Sequence, residues 1–283
     1  MRLGIFAKTF VERPFAAARQ AGYVAVQYNM ACVGLAPMPD AIAPEVTAAV
    51  RGAAVEAGIE IAALSATYNM IHPDVAVRRQ GLARLRVLAG AAGALGTRLL
   101  SLCTGTLDAE DQWRRHPGND GPGPWRTLLE NMEAAIAIAE EFDVELGIEP
   151  EHANVVSSAR RARRLMDELG SPRVRIILDG ANLFETEPLE KQRVIVSEGI
   201  ELLADRISLA HAKDRLADGR FTRAGAGVLD YGHYLASLVG AGFRGPLVTH
   251  GLGEEDAARV ARFLGEHLAA VGGLGENSAS QRE

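Results

Sequence analysis

Four short stretches place a carboxylate or an imidazole directly behind apolar, β-forming residues: GIE ending in Glu149, ILD ending in Asp179, LAH ending in His211 and VTH ending in His250. An unpaired charge in such surroundings is expensive. A divalent cation removes the cost, because it neutralises carboxylates and accepts imidazole lone pairs. Two carboxylates and two histidines suit Mn, Fe, Co or Zn better than Ca. The donors do not choose among these ions; Mn2+ is the first expectation, with Co2+, Fe2+, Zn2+ or Mg2+ after it. Whether His250 binds the ion or faces a substrate beside it is left open by the residues alone.

Each of the four also has a plainer reading. A carboxylate at a strand end often caps the next helix, as Asp179 would, and a lone strand histidine is often a satisfied core residue. Repetition over four neighbouring strands favours the joint reading, and HAKD adds Lys213 and Asp214 directly behind His211. Other candidates follow other strands. Asn69 and His72 lie after the run ending at Ser65, as polar side chains facing a substrate. Trp113 and His116 lie in a Pro/Gly/Asp-rich loop, as a lid or substrate contact. Glu151 follows Glu149 as a second catalytic carboxylate, and Asn182 follows Asp179 as a substrate contact. His233 and His267 fall in helical patterns and are read as structural. The RRARR cluster at Arg160–Arg164 is read as a solvated helix face.

The elements that must carry these side chains repeat. Apolar runs at Arg2–Ala7, Val24–Tyr28, Glu60–Ser65, Arg98–Cys103, Val144–Glu149, Val174–Leu178, Arg206–Ala210 and Pro246–His250 alternate with amphipathic stretches such as Pro44–Ala57, Val75–Ala94, Trp125–Phe142, Ala159–Leu169, Leu189–Leu203 and Asp256–Ala270. Pro44 near one start and Gly58, Gly96 and Gly170 past three ends punctuate helices. Short strands separated by helices pair in parallel, and eight such units close a (β/α)8 barrel, whose functional groups gather at the C-terminal strand ends. No GxGxxG opens the first helix, which argues against a doubly wound sheet. One barrel domain is expected over residues 1–271, with a polar tail at 272–283. Two long irregular loops are expected, Thr104–Pro124 and Lys213–Leu229.

Composition agrees with a globular α/β chain. Its 283 residues are 48% hydrophobic, and 30 basic against 36 acidic residues leave a net charge of −6. A long phosphate-binding surface is not advertised, so no nucleic-acid partner is expected. Two cysteines, Cys32 and Cys103, form neither a disulfide framework nor a CxxC metal motif. No apolar segment approaches the ~20 residues of a membrane span, and RLGIFAKTF lacks a signal peptide's apolar stretch. The expectation is a cytoplasmic protein without a membrane partner.

The IEP at 148–150, the LD-x-x-N at 178–182, the HAKD at 211–214 and the GAGVLDY at 225–231 together resemble the xylose isomerase-like barrel superfamily, over roughly residues 1–270. That superfamily includes sugar isomerases, ketose 3-epimerases, inosose dehydratases and apurinic-site endonucleases. The resemblance implies one divalent metal on Glu149, Asp179 and His211, completed by a carboxylate on the last strand. His250 stands in that carboxylate's place, and Asn182 stands where a histidine is common. The implied substrate is a small sugar or polyol, with chemistry by enolisation beside a carbonyl. Family epimerases exchange the proton between two glutamates, an arrangement that His250 alters. One base, Glu149 or Glu151, with a separate acid, Lys213, His116 or His72, suits isomerisation or epimerisation first and dehydration or another β-elimination second. The endonuclease branch needs more metals, and Asn182 and Arg220 stand at places for further ligands. A sugar-binding protein without turnover is the reading from another class. Barrels of this type often pair, so a homodimer or homotetramer is the assembly to expect.

Overall fold

The computed structural model describes residues 1–272; the expected tail lies outside them from residue 273 onward. In chain order the elements are β1 (Arg2–Phe6), α1 (Pro14–Gln20), β2 (Ala25–Tyr28), α2 (Pro44–Glu56), β3 (Glu60–Ser65), α3 (Val75–Leu95), β4 (Leu99–Leu102), α4 (Pro122–Glu141) and β5 (Glu145–Ile148). There follow α5 (Ala159–Leu169), β6 (Val174–Asp179), α6 (Leu189–Leu203), β7 (Ile207–Arg215), β8 (Phe221–Arg223), α7 (Tyr231–Gly240), β9 (Pro246–Thr249) and α8 (Ala257–Ala270). Strand order is β6-β5-β4-β3-β2-β1-β9-β7-β8, and β6 also pairs with β7. That extra pairing closes eight strands into the parallel ring of a (β/α)8 barrel and leaves β8 outside it, antiparallel to β7.

Two compact units are distinguished, and strands β3 and β6 run from one into the other. The first comprises Met1–Tyr28, Ala53–Ala62 and the chain from Leu178. Here Arg2 to Ile5 of β1 pair with Pro246 to Thr249, and Ala210 to Ala212 pair with Leu247 to Thr249. Ile5, Val26, Leu209, Leu247 and Val248 are buried in these strands, and Leu235 and Leu264 are buried on α7 and α8. The second unit comprises Asn29–Gly52 and Ala63–Ile177. Leu100, Leu146 and Ile148 are buried on its strands, and Leu85, Leu88, Leu128 and Met132 on its helices.

Local chemistry sets the helix ends. Asp74 and Ser158 accept backbone N–H groups at the starts of α3 and α5, and Gly96 and Gly170 close the same helices in the left-handed region. Such side-chain caps satisfy donors that a first helical turn leaves unpaired, and glycine takes the closing conformation without a Cβ penalty. The RRARR helix is more than a solvated face. Arg161 and Arg164 lie over the buried Trp125 ring, 5.2 and 4.3 Å from its centroid, and the indole Nε1 donates to Glu168. His233 and His267 bond within helical surroundings, to Ser197 and the Phe263 carbonyl respectively. Among the described residues no helix is long and apolar enough to cross a membrane.

The stretch Lys213–Leu229 departs from the expected irregular loop. β7 continues to Arg215, beyond the residues that pair with β9, and turns back as β8 in register Lys213↔Arg223, Asp214↔Thr222 and Arg215↔Phe221. A three-residue strand flanked by turns is too short for an alternation pattern to reveal.

Candidate active site

The first unit brings together Asp179 at the end of β6, His211 midway along β7 and His250 directly after β9. Asp179 is 1% exposed and His211 1% exposed, while His250 is partly exposed. Asp179 Oδ2 lies 3.3 Å from His250 Nε2 and 3.4 Å from Lys213 Nζ, and its Oδ1 accepts the Ala181 N–H at 3.0 Å. The helix-capping reading of this carboxylate is thus also correct, with the other oxygen left for the site. The His211 and His250 rings meet edge to face at 4.7 Å, and Phe6 stacks on His250 at 4.5 Å. With Glu149, which follows β5, these side chains form a Glu-Asp-His-His group whose ligand atoms all lie within 4.8 Å of one another. Two carboxylate oxygens and two imidazole nitrogens at that spacing can hold one divalent ion.

Electrostatics keep the group ready to bind. Burial alone would raise the Asp179 carboxyl; Lys213 foremost, then His250 and His211, outweigh it and hold the group well below the usual carboxylate range. Burial pushes His250 down to about 4, assisted by His211 and Lys213 and opposed by its hydrogen bond to Asp179. An ionised carboxylate therefore stands beside a neutral imidazole, the protonation states that ligands require.

Two positions in this network have no counterpart among the candidates read from sequence. Gln27, on β2, is 3% exposed, and its Oε1 lies 2.9 Å from His211 Nε2. The amide oxygen accepts, so Nε2 carries the proton and Nδ1 presents its lone pair. Phe6 is the other. A lone glutamine inside AVQY is the one sequence signal for Gln27, but its partner is 184 residues away.

Lys213 is 7% exposed and donates to Asn182 Oδ1 at 3.0 Å, so the two candidates meet each other and Asp179. Asp214 does different work. Its Oδ1 accepts the N–H groups of Arg215 and Leu229, and its Oδ2 those of Gly225 and Gly227. Burial still lifts its carboxyl above the ordinary value. The carboxylate fastens the 225–229 loop to β7. A Cβ on Gly227 would stand 2.2 Å from the Arg215 carbonyl oxygen and 2.3 Å from Asp214 Oδ1, so the loop closes only over glycine. The GAGVLDY stretch is the partner sequence that HAKD requires.

The remaining candidates lie in the second unit. Asn69 is 7% exposed; its Nδ2 donates to the Thr106 and Asp108 carbonyls, and its Oδ1 accepts from Thr106 and Ile71. It ties the loop after β4 to the end of β3. His72 Nδ1 accepts the Asp74 N–H and Nε2 lies 3.1 Å from the Ala109 carbonyl. Both residues border a cavity of ≈ 360 Å³ together with Tyr68, Arg84 and residues 108–112. His116 Nδ1 accepts the Gly118 N–H and so caps a short 3-10 turn at Pro117–Asp120. Trp113 is 51% exposed. Glu151 is half-buried, and its backbone N–H donates to Val156.

Comparison with known proteins agrees with this architecture. Residues 15–267 match the family model described as xylose isomerase-like TIM barrel. Similar solved structures include a xylose isomerase domain protein from Planctomyces limnophilus, at 17% identity and TM-score 0.75 over 96% of this chain and 97% of that one. The 3-keto-D-glucoside 4-epimerase YcjR from E. coli aligns at 17% identity and TM-score 0.71 over 96% and 98%. An L-ribulose 3-epimerase aligns at 16% identity and TM-score 0.75 over 100% and 99%. At such identities the structural likeness speaks for the fold alone. No curated protein matches the sequence. With the match running through nearly all of the barrel, the chain belongs to the xylose isomerase-like TIM barrel family.

Proposed function

We propose that this protein is a divalent-metal-dependent epimerase or isomerase of a ketose or keto-sugar, moving a proton at the carbon beside the carbonyl. The observation that carries the reading is the Glu149–Asp179–His211–His250 group with the Lys213 ammonium against Asp179. The names of similar structures, a 3-keto-D-glucoside 4-epimerase and an L-ribulose 3-epimerase, support the substrate class.

When bound at these four side chains, a divalent ion supplies the Lewis acidity that polarises the carbonyl and acidifies the neighbouring C–H; Mn2+ is the ion to test first. The chain's residues do the rest. Asp179 and His211 are fully buried and act as fixed donors, whereas Glu149 and His250 are partly exposed. Glu149 therefore takes the proton from carbon. With one nitrogen committed as a ligand, His250 leaves no second ordinary base, so the reaction differs from exchange between two glutamates. Lys213, held at Asn182 and Asp179, donates toward the carbonyl oxygen as negative charge develops there. The epimer requires a second acid on the opposite face of the same carbon, a role that falls to Lys213 in this reading, which then gives its proton to that carbon. Return of the proton to the adjacent carbon gives the isomer.

Gln27 belongs to this reading because it orients His211. Outer partners of ligating histidines typically matter by about 10–100-fold in metal affinity. Gln27→Leu is accordingly expected to raise the Mn2+ dissociation constant by about 10–100-fold in calorimetric titration. An unchanged constant would remove Gln27 from the account.

The proposal is tested by incubating EDTA-stripped and Mn2+-reloaded protein with ketopentoses, ketohexoses and keto-glycosides, and separating the products by chromatography. An epimer or isomer formed only by the reloaded protein is expected. Binding of a sugar without conversion of any would return the reading to a sugar-binding protein.

A further inference from the structure

Phe221 is an aromatic residue left 44% exposed on the β7–β8 hairpin, and two cations lie over its ring. Lys213 Nζ lies 3.7 Å from the ring centroid and Arg215 Cζ 4.0 Å from it. The two cations come from alternate positions of β7, so they leave the strand on one face. Arg215 is anchored independently, through the Ala181 and Gly219 carbonyl oxygens. Lys213 differs: its ammonium is a compact charge on a flexible four-carbon stem, and it must point at Asn182 and Asp179 to serve the site. An aromatic face attracts an ammonium within about 6 Å of its centroid, more strongly when water is excluded. The hairpin carrying the ring is itself fastened, since Asp214 holds the segment that follows β8 by backbone hydrogen bonds.

We infer that Phe221 is a positioning residue whose ring face holds the Lys213 ammonium against Asp179 and Asn182. It acts through Lys213 and needs no contact with the reacting atoms. The inference rests on the proposed role of Lys213 in proton delivery. Leucine fills much of the same space without a π face, whereas tyrosine keeps the face, so the pair Phe221→Leu and Phe221→Tyr separates charge-holding from packing.

Two measurements test it. In turnover, Phe221→Leu is expected to lower kcat by about tenfold with KM within about twofold, and Phe221→Tyr to stay near wild type. The second needs no turnover. The chain has three lysines, Lys8, Lys191 and Lys213, so lysine-specific 13C labelling gives three resolvable ε-methylene signals. Lys213 is expected to be shifted upfield by the ring current in wild type and Phe221→Tyr, and to return to the ordinary position in Phe221→Leu. Lys8, 5.6 Å from the Phe6 ring, serves as a weakly shifted internal comparison. An upfield Lys213 signal that persists in Phe221→Leu, or a Phe221→Leu variant with wild-type kcat, overturns the inference. A fully active Lys213→Met variant would instead defeat the underlying reading of Lys213 while the ring-current result stood.

Discussion

Glu149→Gln is expected to reduce kcat by about 10²–10⁴-fold, the usual contribution of a positioned base, while metal content and thermal midpoint stay close to wild type. Glutamine keeps an oxygen at the ligand position and nearly the same volume, so the four-residue group retains its donors. What it loses is the capacity to accept a proton. Glu149 is singled out because it is one of the two group members with partial exposure, and the only carboxylate among them. The check is steady-state kinetics beside elemental analysis of the same preparation. A variant that keeps its metal and turns over at the wild-type rate assigns the base elsewhere, with Glu151 the next carboxylate to test.

The second large effect is on stability. Asp179 is 1% exposed, and the ammonium it pairs with is 7% exposed. Removing one partner of a buried pair leaves an uncompensated charge and costs about 3–5 kcal/mol. Asp179→Ala should therefore lose about 3–5 kcal/mol in urea unfolding, measured on EDTA-treated proteins so that metal linkage does not contribute. Replacing both members by apolar groups is often close to neutral, so Asp179→Ala/Lys213→Met should regain most of the loss. A double variant as unstable as the single one would mean that the damage comes from the Ala181 N–H or from His250, the other partners of this carboxylate.

The barrel was legible in the sequence because its strands are short apolar runs and its helices end on residues with a mechanism. The strand ends were legible too: ligand-type residues after four runs implied the group that the structure brings within 4.8 Å. What stayed hidden follows from range and length. Gln27 and Phe6 meet their histidines only because β1 and β2 lie across the sheet from distant segments. β8 is three residues long, and without it Phe221 reads as a loop residue and Lys213 as a lysine on a strand end. Asn69 reads as a substrate contact because it is polar and follows a strand, and its bonds to a later loop are not legible from that. Its amide bonds the loop after β4 at Thr106 and Asp108, close against Gly105, where φ is +80° and a Cβ would lie 2.1 Å from Asn69 Oδ1. His116 caps a turn for a similar reason: a short Pro/Gly-rich loop leaves backbone donors that a nearby ring nitrogen can satisfy.

The central claim is that this site moves a carbon-bound proton under control of the four-residue group. The most direct measurement is proton NMR of a converted ketose in D2O with Mn2+-loaded wild type, removing the paramagnetic ion and protein before acquisition. The account predicts deuterium at the carbon beside the carbonyl, and none with EDTA-treated wild type or with Glu149→Gln. Product formed at the wild-type rate by the EDTA-treated protein, or by Glu149→Gln, would contradict it.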